Sequence, residues 1–399
     1  MGISKMEHQH LHPVTKQTIY FGNLQDEGRD SLRTVLENNK MSSVTVKPID
    51  GLSGRITLKE RIQMSGLHNV IIDFDKRIEI KGWALELRDC LGVVIINAAV
   101  RIGDKEIRQF YKGKRPQSSN GLDCINIDRC QDILISKCSL WSSCDEIVSV
   151  TRSINVHVER SLLVFPLGGD PLTHPYGDYH AECANCSANS ICCFYRCVFA
   201  YYRMRGPQFE PNDASPRQNV VMQAANNVMY GFKEAGSRYR SGPEKKTDKV
   251  KGATYKFQFL HNLYITPGSE DGSGTGDPIV CDIQYKPIKE VSVYLEGNLH
   301  WNKLKNTLKS VSIVDTNGKK LKSDHAKQIK KERLFTLSCV SGTPIISEKL
   351  FLQEIVAEAG INDSFDTQAK KAILSGKPWR KLESYNEVLE YLNLINDDI

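Results

Sequence analysis

The sequence has no apolar run that approaches the ~18 residues needed to span a membrane. Its first residues, MGISKMEHQHLHPVTKQ, also lack the apolar core of a secretory signal peptide. We therefore expect a chain made in the cytoplasm, with no membrane partner. The net charge is +6, which is compatible with an acidic partner but is too common among soluble proteins to single one out. Nucleic acid is not expected as a partner.

Cysteine is the residue type whose count would suit an exported protein, because the chain has 12, an even number. In a secreted protein that count would favour disulfides. Without a visible export signal, and with several cysteines at strand positions, we predict that most are buried free thiols.

Helical periodicity is missing between Asn120 and Phe209, where short apolar runs alternate with polar residues. Alternation of this kind is typical of half-buried strands. A small polar residue recurs between paired apolar runs, roughly every 23 to 36 residues. The recurring positions are Cys138, Ser161, Cys197, Asn227, Asn262 and Asn298.

These repeats predict an all-β solenoid, a parallel β-helix, in which each coil buries its apolar face against the next. The recurring small residues would then form one column at a turn, where Asn and Ser tolerate left-handed backbone. An antiparallel sandwich also contains many short strands and stays open as the alternative.

Composition divides the chain into four segments. The predicted segments are a lead-in (1–17), a β-helix with an N-terminal cap (18–302), a basic excursion (303–345) and a helical end (346–399). The cap is a short amphipathic helix, Ser31 to Asn38, that would cover the open end of the solenoid. In the last segment Ser347 and Gly360 are the expected start and stop of a helix.

Several motifs occur in order over residues 18–377. They are FGNLQDEGRDSLRTVL, GVVIINAAVRIGD, ISKCSLWSSCDEIVSV, the His174 to Asp178 segment, and the run ending RMRGPQF. With these motifs the chain resembles the bacterial pectate lyases of polysaccharide lyase family 1, and a chance match of so many is improbable. The resemblance implies a right-handed parallel β-helix with a capping helix and C-terminal helices.

The resemblance also implies a reaction, the β-elimination of an acidic polysaccharide. In that family calcium binds the uronate carboxylate and an arginine removes the neighbouring C5 proton. The matching arginine here is Arg205, followed by Gly206 and Pro207. The substrate-binding residues implied by the family layout are Arg203, Lys137, His174, His180 and Gln208.

Two departures from the family pattern concern calcium. Asp145 and Glu146 remain as candidate ligands, whereas Ser136 and Lys137 replace an aspartate and a histidine. Losing an anion and adding a cation both weaken a calcium site. We therefore predict weak or no calcium binding, and weak or absent classical pectate lyase activity.

A second possible metal site is independent of the family. His174, His180, Cys183 and Cys186 have a spacing that zinc accepts. The alternative is that the cysteines simply pack in the core.

The leading functional hypothesis is a pectate-lyase-like protein that binds, and cleaves if the site is intact, a uronate-containing polysaccharide. The alternative is a non-catalytic virion or assembly protein, such as a phage tail or capsid component, that kept the scaffold. Such a part would contact other virion proteins or copies of itself. A cytosolic lyase is a third interpretation.

Overall fold

Three long sheets and a few helices make up the part of the chain that the computed structural model describes. The described residues are 13–119, 121–168, 172–175, 180–211, 219–242, 254–270, 276–282, 290–322, 327–330 and 343–394. None of the helices in these ranges is both long and apolar enough to cross a bilayer.

The strands are numbered in chain order and fall into three sheets. The first sheet contains β1 (Gln17–Phe21), β2 (Val44–Pro48), β5 (His68–Asp73), β8 (Leu91–Ile96), β11 (Gln131–Ser136), β14 (Ile154–Glu159), β17 (Ile191–Tyr195), β20 (Asn219–Ala225), β23 (Thr254–Leu260), β26 (Val291–Glu296) and β30 (Ile329–Lys330). The second sheet contains β3 (Gly54–Thr57), β6 (Ile78–Lys81), β9 (Ala99–Arg101), β12 (Ser139–Trp141), β15 (Leu162–Val164), β18 (Val198–Tyr202), β21 (Val228–Phe232), β24 (Leu263–Thr266), β27 (Leu299–Asn302) and β28 (Thr307–Ser310). The third sheet contains β4 (Ile62–Ser65), β7 (Leu85–Arg88), β10 (Ile125–Asp128), β13 (Glu146–Thr151), β16 (Glu182–Ser187), β19 (Gln208–Phe209), β22 (Ala235–Arg240), β25 (Asp277–Asp282) and β29 (Ile313–Asp315).

From β2 to β27, successive strands visit the first, second and third sheets in turn, so three strands make one coil. Each strand pairs in parallel with the strands one coil before and one coil after it, as β11 does with β8 and β14. Among the pairings between named strands of the described residues, only β27 with β28 is antiparallel, and one isolated antiparallel bridge joins Val314 to Lys320. This arrangement confirms the predicted right-handed parallel β-helix and excludes the sandwich.

The predicted column of small polar residues lies at the turn between the first and second sheets. Toward the C-terminal coils this column is a ladder of hydrogen-bonded asparagine side chains. Asn262 Oδ1 accepts the backbone N–H and the side-chain N–H of Asn227 at 2.9 and 3.0 Å. Asn298 accepts the same two bonds from Asn262 at 3.0 and 2.9 Å. In the earlier coils of the same column, Ser161 Oγ accepts the backbone N–H of Cys138 at 3.1 Å.

The cysteines are the free thiols that the sequence predicts. Eleven are described, and all eleven are buried and unbridged. Most belong to the main apolar core inside the coils. The twelfth, Cys339, lies outside the described residues.

In the part of the chain that the structure describes, five helices cover the coils at their start and along their side. They are α1 (Leu32–Asn38), α2 (Lys105–Phe110), α3 (Glu348–Glu358), α4 (Ser364–Ser375) and α5 (Tyr385–Tyr391). Ser31 caps α1, as the sequence predicts, and Ser347 caps α3. A buried guanidinium anchors the C-terminal helices, because Arg101 of β9 bonds Asp363 at 2.6 Å at the start of α4.

The predicted basic excursion is partly integrated into the sheets. Within 303–345, β28 extends the second sheet, β29 the third and β30 the first. The sheets therefore continue past residue 302. The many lysines of this segment obscured short alternating runs such as TLKS and SIVD, which carry the strands.

Candidate functional site

An acidic column runs along the third sheet at the turn from the second sheet. Three strand starts share one pattern, an acid, two apolar residues, a polar residue, an apolar residue and a polar residue: DCINID, EIVSVT and ECANCS. The strands stack in register, with Ile125 opposite Val148 and Glu146 opposite Glu182. The acids therefore lie above one another, and we call Asp123, Glu146 and Glu182 the acidic column. All three are almost fully buried.

Arg205 lies beside the column one coil further on, because Glu182 bridges its neighbour Met204 and Gln208 of β19 pairs with Asn185 of β16. Its guanidinium contacts Glu146 through Nη1 and Glu182 through Nε. Burial disfavours the charge, but the two glutamates outweigh it and hold the pKa of Arg205 above its usual range. Arg205 is thus a firmly protonated cation clamped between two carboxylates.

Asp145 lies beside the column, and its carboxylate contacts both His174 and His180. His174 Nε2 lies 3.3 Å from Asp145 Oδ1, and His180 Nε2 lies 3.1 Å from the same oxygen. Burial alone would raise the pKa of Asp145, but its hydrogen bonds with the two histidines hold it well below the usual range. The pKa of His180 is raised despite its burial, because Asp145 and Glu182 favour the imidazolium.

In two members of the acidic column, Asp123 and Glu146, the charged form of the carboxyl group is disfavoured. Burial, and then the nearby charge of Asp145, raise the pKa values of Asp123 and Glu146 well above the ordinary carboxyl range. Carboxylate oxygens of Asp123, Asp145 and Glu146 all lie within 4.8 Å of one another. A cluster of oxygen donors with excess negative charge is the donor set that a hard cation such as calcium prefers. The residues present therefore fit the calcium ion that the family resemblance implies.

The other predicted groove residues lie on the same face. Gln208 Nε2 donates to Asn185 Oδ1 and Glu210 Oε2, both at 3.2 Å. Arg203 Nε donates to Glu234 Oε1 at 2.6 Å. Their side chains thus extend the polar face beyond the acidic column.

Two cavities open along this face of the third sheet. One, of about 400 Å³, is lined by Arg203 and Arg238, and the other, of about 440 Å³, by Asp123 and Glu146. Both are also lined by His180, Arg205 and Arg240. The groove therefore passes from an acidic region to one that alternates arginines with acids, and Arg205 lies where the two regions meet.

Lys137 lies elsewhere, so the structure does not bring it together with the other residues predicted to bind substrate. It is exposed, with a left-handed φ of 53°, at the turn between the first and second sheets. Ser136, at the end of β11, donates instead to Glu159 Oε1 at 3.0 Å in the first sheet. Eight residues of chain, including β12, carry the backbone around a corner before Asp145. The two departures therefore do not touch the acidic cluster, and weak calcium binding stays a prediction that these two residues do not support.

The predicted zinc set is also divided by the structure. Cys183 and Cys186 belong to the apolar core, and Cys183 Sγ lies 3.7 Å from the carbonyl of Leu163. His174 and His180 instead meet Asp145 in the groove. Cys183 directly follows Glu182, so when Glu182 faces the groove the side chain of Cys183 turns inward. Cys186, further along β16, lies in the core as well. In the described part of the chain, no group of residues placed to hold a metal includes either cysteine.

Sequence reasoning missed Asp123 and Glu182. The repeated acid-first pattern at DCINID, EIVSVT and ECANCS was visible and could have revealed them. Their convergence depended on the coil lengths, which differ because α2 lies in the stretch before Asp123 and a longer stretch of chain lies between β15 and β16 than between β12 and β13.

Comparison with known proteins places the fold. No protein-family model matches the sequence, and a search of the curated proteins gives no match. Among solved structures, jun a 1, the major allergen from cedar pollen, aligns with a TM-score of 0.54 and 11% identity over 87% of this chain and 89% of that one. A pectate lyase from Bacillus sp. N165, solved in complex with trigalacturonate, aligns with a TM-score of 0.50 and 10% identity over 86% and 93%. The chain therefore has the parallel β-helix fold of these proteins over nearly its whole length.

Proposed function

We propose that the protein binds an acidic, uronate-containing polysaccharide along the outer face of the third sheet and cleaves it when a divalent cation is bound. The observation that carries the proposal is the acidic column ending at Arg205 in an open groove. The neighbour solved with trigalacturonate, an acidic oligosaccharide, supports the class of ligand.

Asp123, Asp145 and Glu146 are the residues that would hold the cation. Without a cation, the carboxylates of this face would repel a uronate, since like charges at short range disfavour binding. A bound divalent cation supplies the positive charge that offsets this repulsion and polarises the substrate carboxylate. Arg203 and Arg205 add cationic groups along the groove for further uronates.

Arg205 is the residue placed to move the proton. In β-elimination the C5–H bond of a uronate breaks, its electron pair forms the C4–C5 double bond, and the glycosidic oxygen leaves C4. The base must first be a neutral guanidine, which is rare because arginine is ordinarily protonated. Glu146 and Glu182 hold Arg205 in the protonated form. Cleavage is therefore expected only when the charge of these carboxylates is compensated.

Calorimetric titration with oligogalacturonate tests the binding step. With calcium present the wild-type protein is expected to bind, and chelation is expected to weaken binding at least about tenfold. Glu146→Gln should have the same effect as chelation, because it removes a candidate cation ligand. Glu159→Gln is the matched control, since Glu159 lies in the first sheet and bonds Ser136.

Failure to bind any uronate oligomer, with or without calcium, would contradict the proposal. A non-catalytic virion or assembly role would then be the better account of the scaffold. Binding that is unaffected by Glu146→Gln but lost in Glu159→Gln would place the ligand on the first sheet instead.

A further inference from the structure

Two histidines lie at the edge of a site whose other cation-binding groups are all carboxylates. His174 is 2% exposed and is carried by the short segment 172–175, while His180 precedes β16. Their rings stack with centroids 4.3 Å apart and an interplanar angle of 14°. The two imidazoles are therefore held side by side with little freedom to turn.

The donor atoms of this pocket converge. His174 Nε2 and His180 Nε2 approach the same Asp145 oxygen, at 3.3 and 3.1 Å, and His180 Nε2 is 3.4 Å from Glu182 Oε2. Ligand atoms of Asp145, His174 and His180 all lie within 4.8 Å of one another. They come from three separate places in the chain, so the fold itself assembles the cluster.

A mixed nitrogen and oxygen set differs in metal preference from the all-oxygen cluster. Calcium takes oxygen ligands, whereas imidazole nitrogen suits zinc and neighbouring first-row transition metals. Two histidines with one carboxylate leave a coordination position open, as in zinc sites that act on a ligand. The pocket opens on the groove, because His180 lines both cavities there.

We propose that Asp145, His174 and His180 bind a zinc-class divalent transition-metal ion. The site is distinct from the all-oxygen set, from which it differs by exchanging Asp123 and Glu146 for the two histidines. It does not depend on the polysaccharide proposal. Glu182 contacts both His180 and Arg205, so the ion would lie beside the groove's central cation.

Metal content after equilibrium dialysis against zinc, manganese or calcium tests the site in the full-length protein. The N-terminal stretch HQHLH can bind zinc by itself, so every protein in the test carries His8→Gln, His10→Gln and His12→Gln. Cobalt(II) serves as a spectroscopic probe, because its visible absorption differs between sites with nitrogen ligands and sites with oxygen ligands alone. Circular dichroism checks that each variant is folded.

We expect one zinc per chain in this background, bound at least about tenfold more weakly after His174→Gln or His180→Gln. His68→Gln is the matched control, since that histidine starts β5 in the first sheet, and it should leave zinc affinity unchanged within about twofold. Asp123→Asn should weaken calcium but not zinc, which separates the two sets. Asp145 belongs to both and does not discriminate between them.

Absence of zinc binding in this background would overturn the proposal. So would an unchanged zinc affinity in the double variant His174→Gln/His180→Gln, or a loss of zinc in Asp123→Asn equal to that in His174→Gln. If the histidine variants do not fold, the cobalt spectrum of the folded parent decides, and a spectrum of oxygen ligands alone is the contradicting result.

Discussion

Two columns of stacked side chains run along this β-helix, and they behave in opposite ways. At the turn between the first and second sheets, Asn227, Asn262 and Asn298 each pair with the next through an amide donor and an amide acceptor. At the turn to the third sheet, Asp123, Glu146 and Glu182 stack groups that can only accept hydrogen bonds or repel one another when ionised. The same parallel register produces both columns.

The difference shows where the fold stabilises itself and where it needs a partner. An asparagine column satisfies its own buried donors and acceptors, so it supports the coil without help from outside. A carboxylate column needs external positive charge, which Arg205 supplies in part. Function is therefore expected at the column that cannot satisfy itself.

Removing a rung of the asparagine column should have the largest effect on stability. Asn262→Ala deletes side-chain bonds to Asn227, Asn298 and the carbonyl of Ala224, and leaves buried groups without partners. We expect the free energy of unfolding to fall by about 3 to 5 kcal/mol, measured by urea denaturation. Asn302→Ala, at a half-buried asparagine with a single bond to the N–H of Lys305, should cost no more than about 1 kcal/mol. Equal costs for the two variants would contradict the ladder's role.

Supplying charge to the acidic column should stabilise the protein by the next largest amount. Calcium at a hundred times its dissociation constant should raise the free energy of unfolding by about 2.7 kcal/mol, because it binds only the folded state. Thermal melts with calcium and with a chelator measure the difference. Glu146→Gln should abolish the calcium effect and Glu159→Gln should preserve it; an effect that survives Glu146→Gln would place the cation elsewhere.

Relieving repulsion within the column should have a smaller and pH-dependent effect. The pKa of Asp123 is raised in the folded state by burial and by Asp145. The folded protein therefore binds this proton more tightly than the unfolded chain does. This contribution to stability is complete below the ordinary carboxyl pKa, near 4, and is lost as pH rises toward the raised pKa.

Asp123→Asn should accordingly stabilise the chelated protein at neutral pH, by about 1 kcal/mol or more. The amide oxygen can still accept the N–H of Glu146, as Asp123 Oδ1 does at 3.0 Å. Urea denaturation at several pH values should show the advantage of the variant shrinking from pH 7 to pH 4. If the stability advantage of the variant instead grows on acidification, the pKa of Asp123 is not raised in the folded protein and the prediction is wrong.

The smallest expected effect concerns a residue at the other column. Lys137 lies at the turn between the first and second sheets, so Lys137→Gln should change oligogalacturonate affinity by less than about twofold. Arg203→Gln removes a groove cation and should weaken binding several-fold by calorimetry. If Lys137→Gln has the larger effect, the polysaccharide does not follow the third sheet.

The fold was predictable because its strands and turns repeat as short local sequence patterns. Alternating apolar residues and the recurring positions from Cys138 to Asn298 needed only short stretches of sequence. The capping helix was equally local, since Ser31 and the apolar spacing after it are adjacent. The strands β28 to β30 were missed because lysines interrupt their short apolar runs.

The candidate site was only half predictable, because it depends on which corner of a coil each residue occupies. Arg205, Asp145 and Glu146 followed from a motif that kept their local spacing. Lys137 was misplaced because a single strand separates two corners, and Cys183 was misplaced because strand alternation turns it inward. Loops of unequal length join the coils, so the meeting of Asp123 with Glu146 required the register of the sheets.

Release of unsaturated product from polygalacturonate, followed by its ultraviolet absorbance, tests the central claim most directly. The account predicts product only with a divalent cation, none with Arg205→Lys, and nearly unchanged binding in that variant, because lysine keeps the charge but misplaces the base. Arg196→Lys is the matched control, since Arg196 also bonds two glutamates, Glu354 and Glu358, but away from the groove. Cleavage that persists in Arg205→Lys, or wild-type protein that is inactive with every divalent cation, would contradict the account.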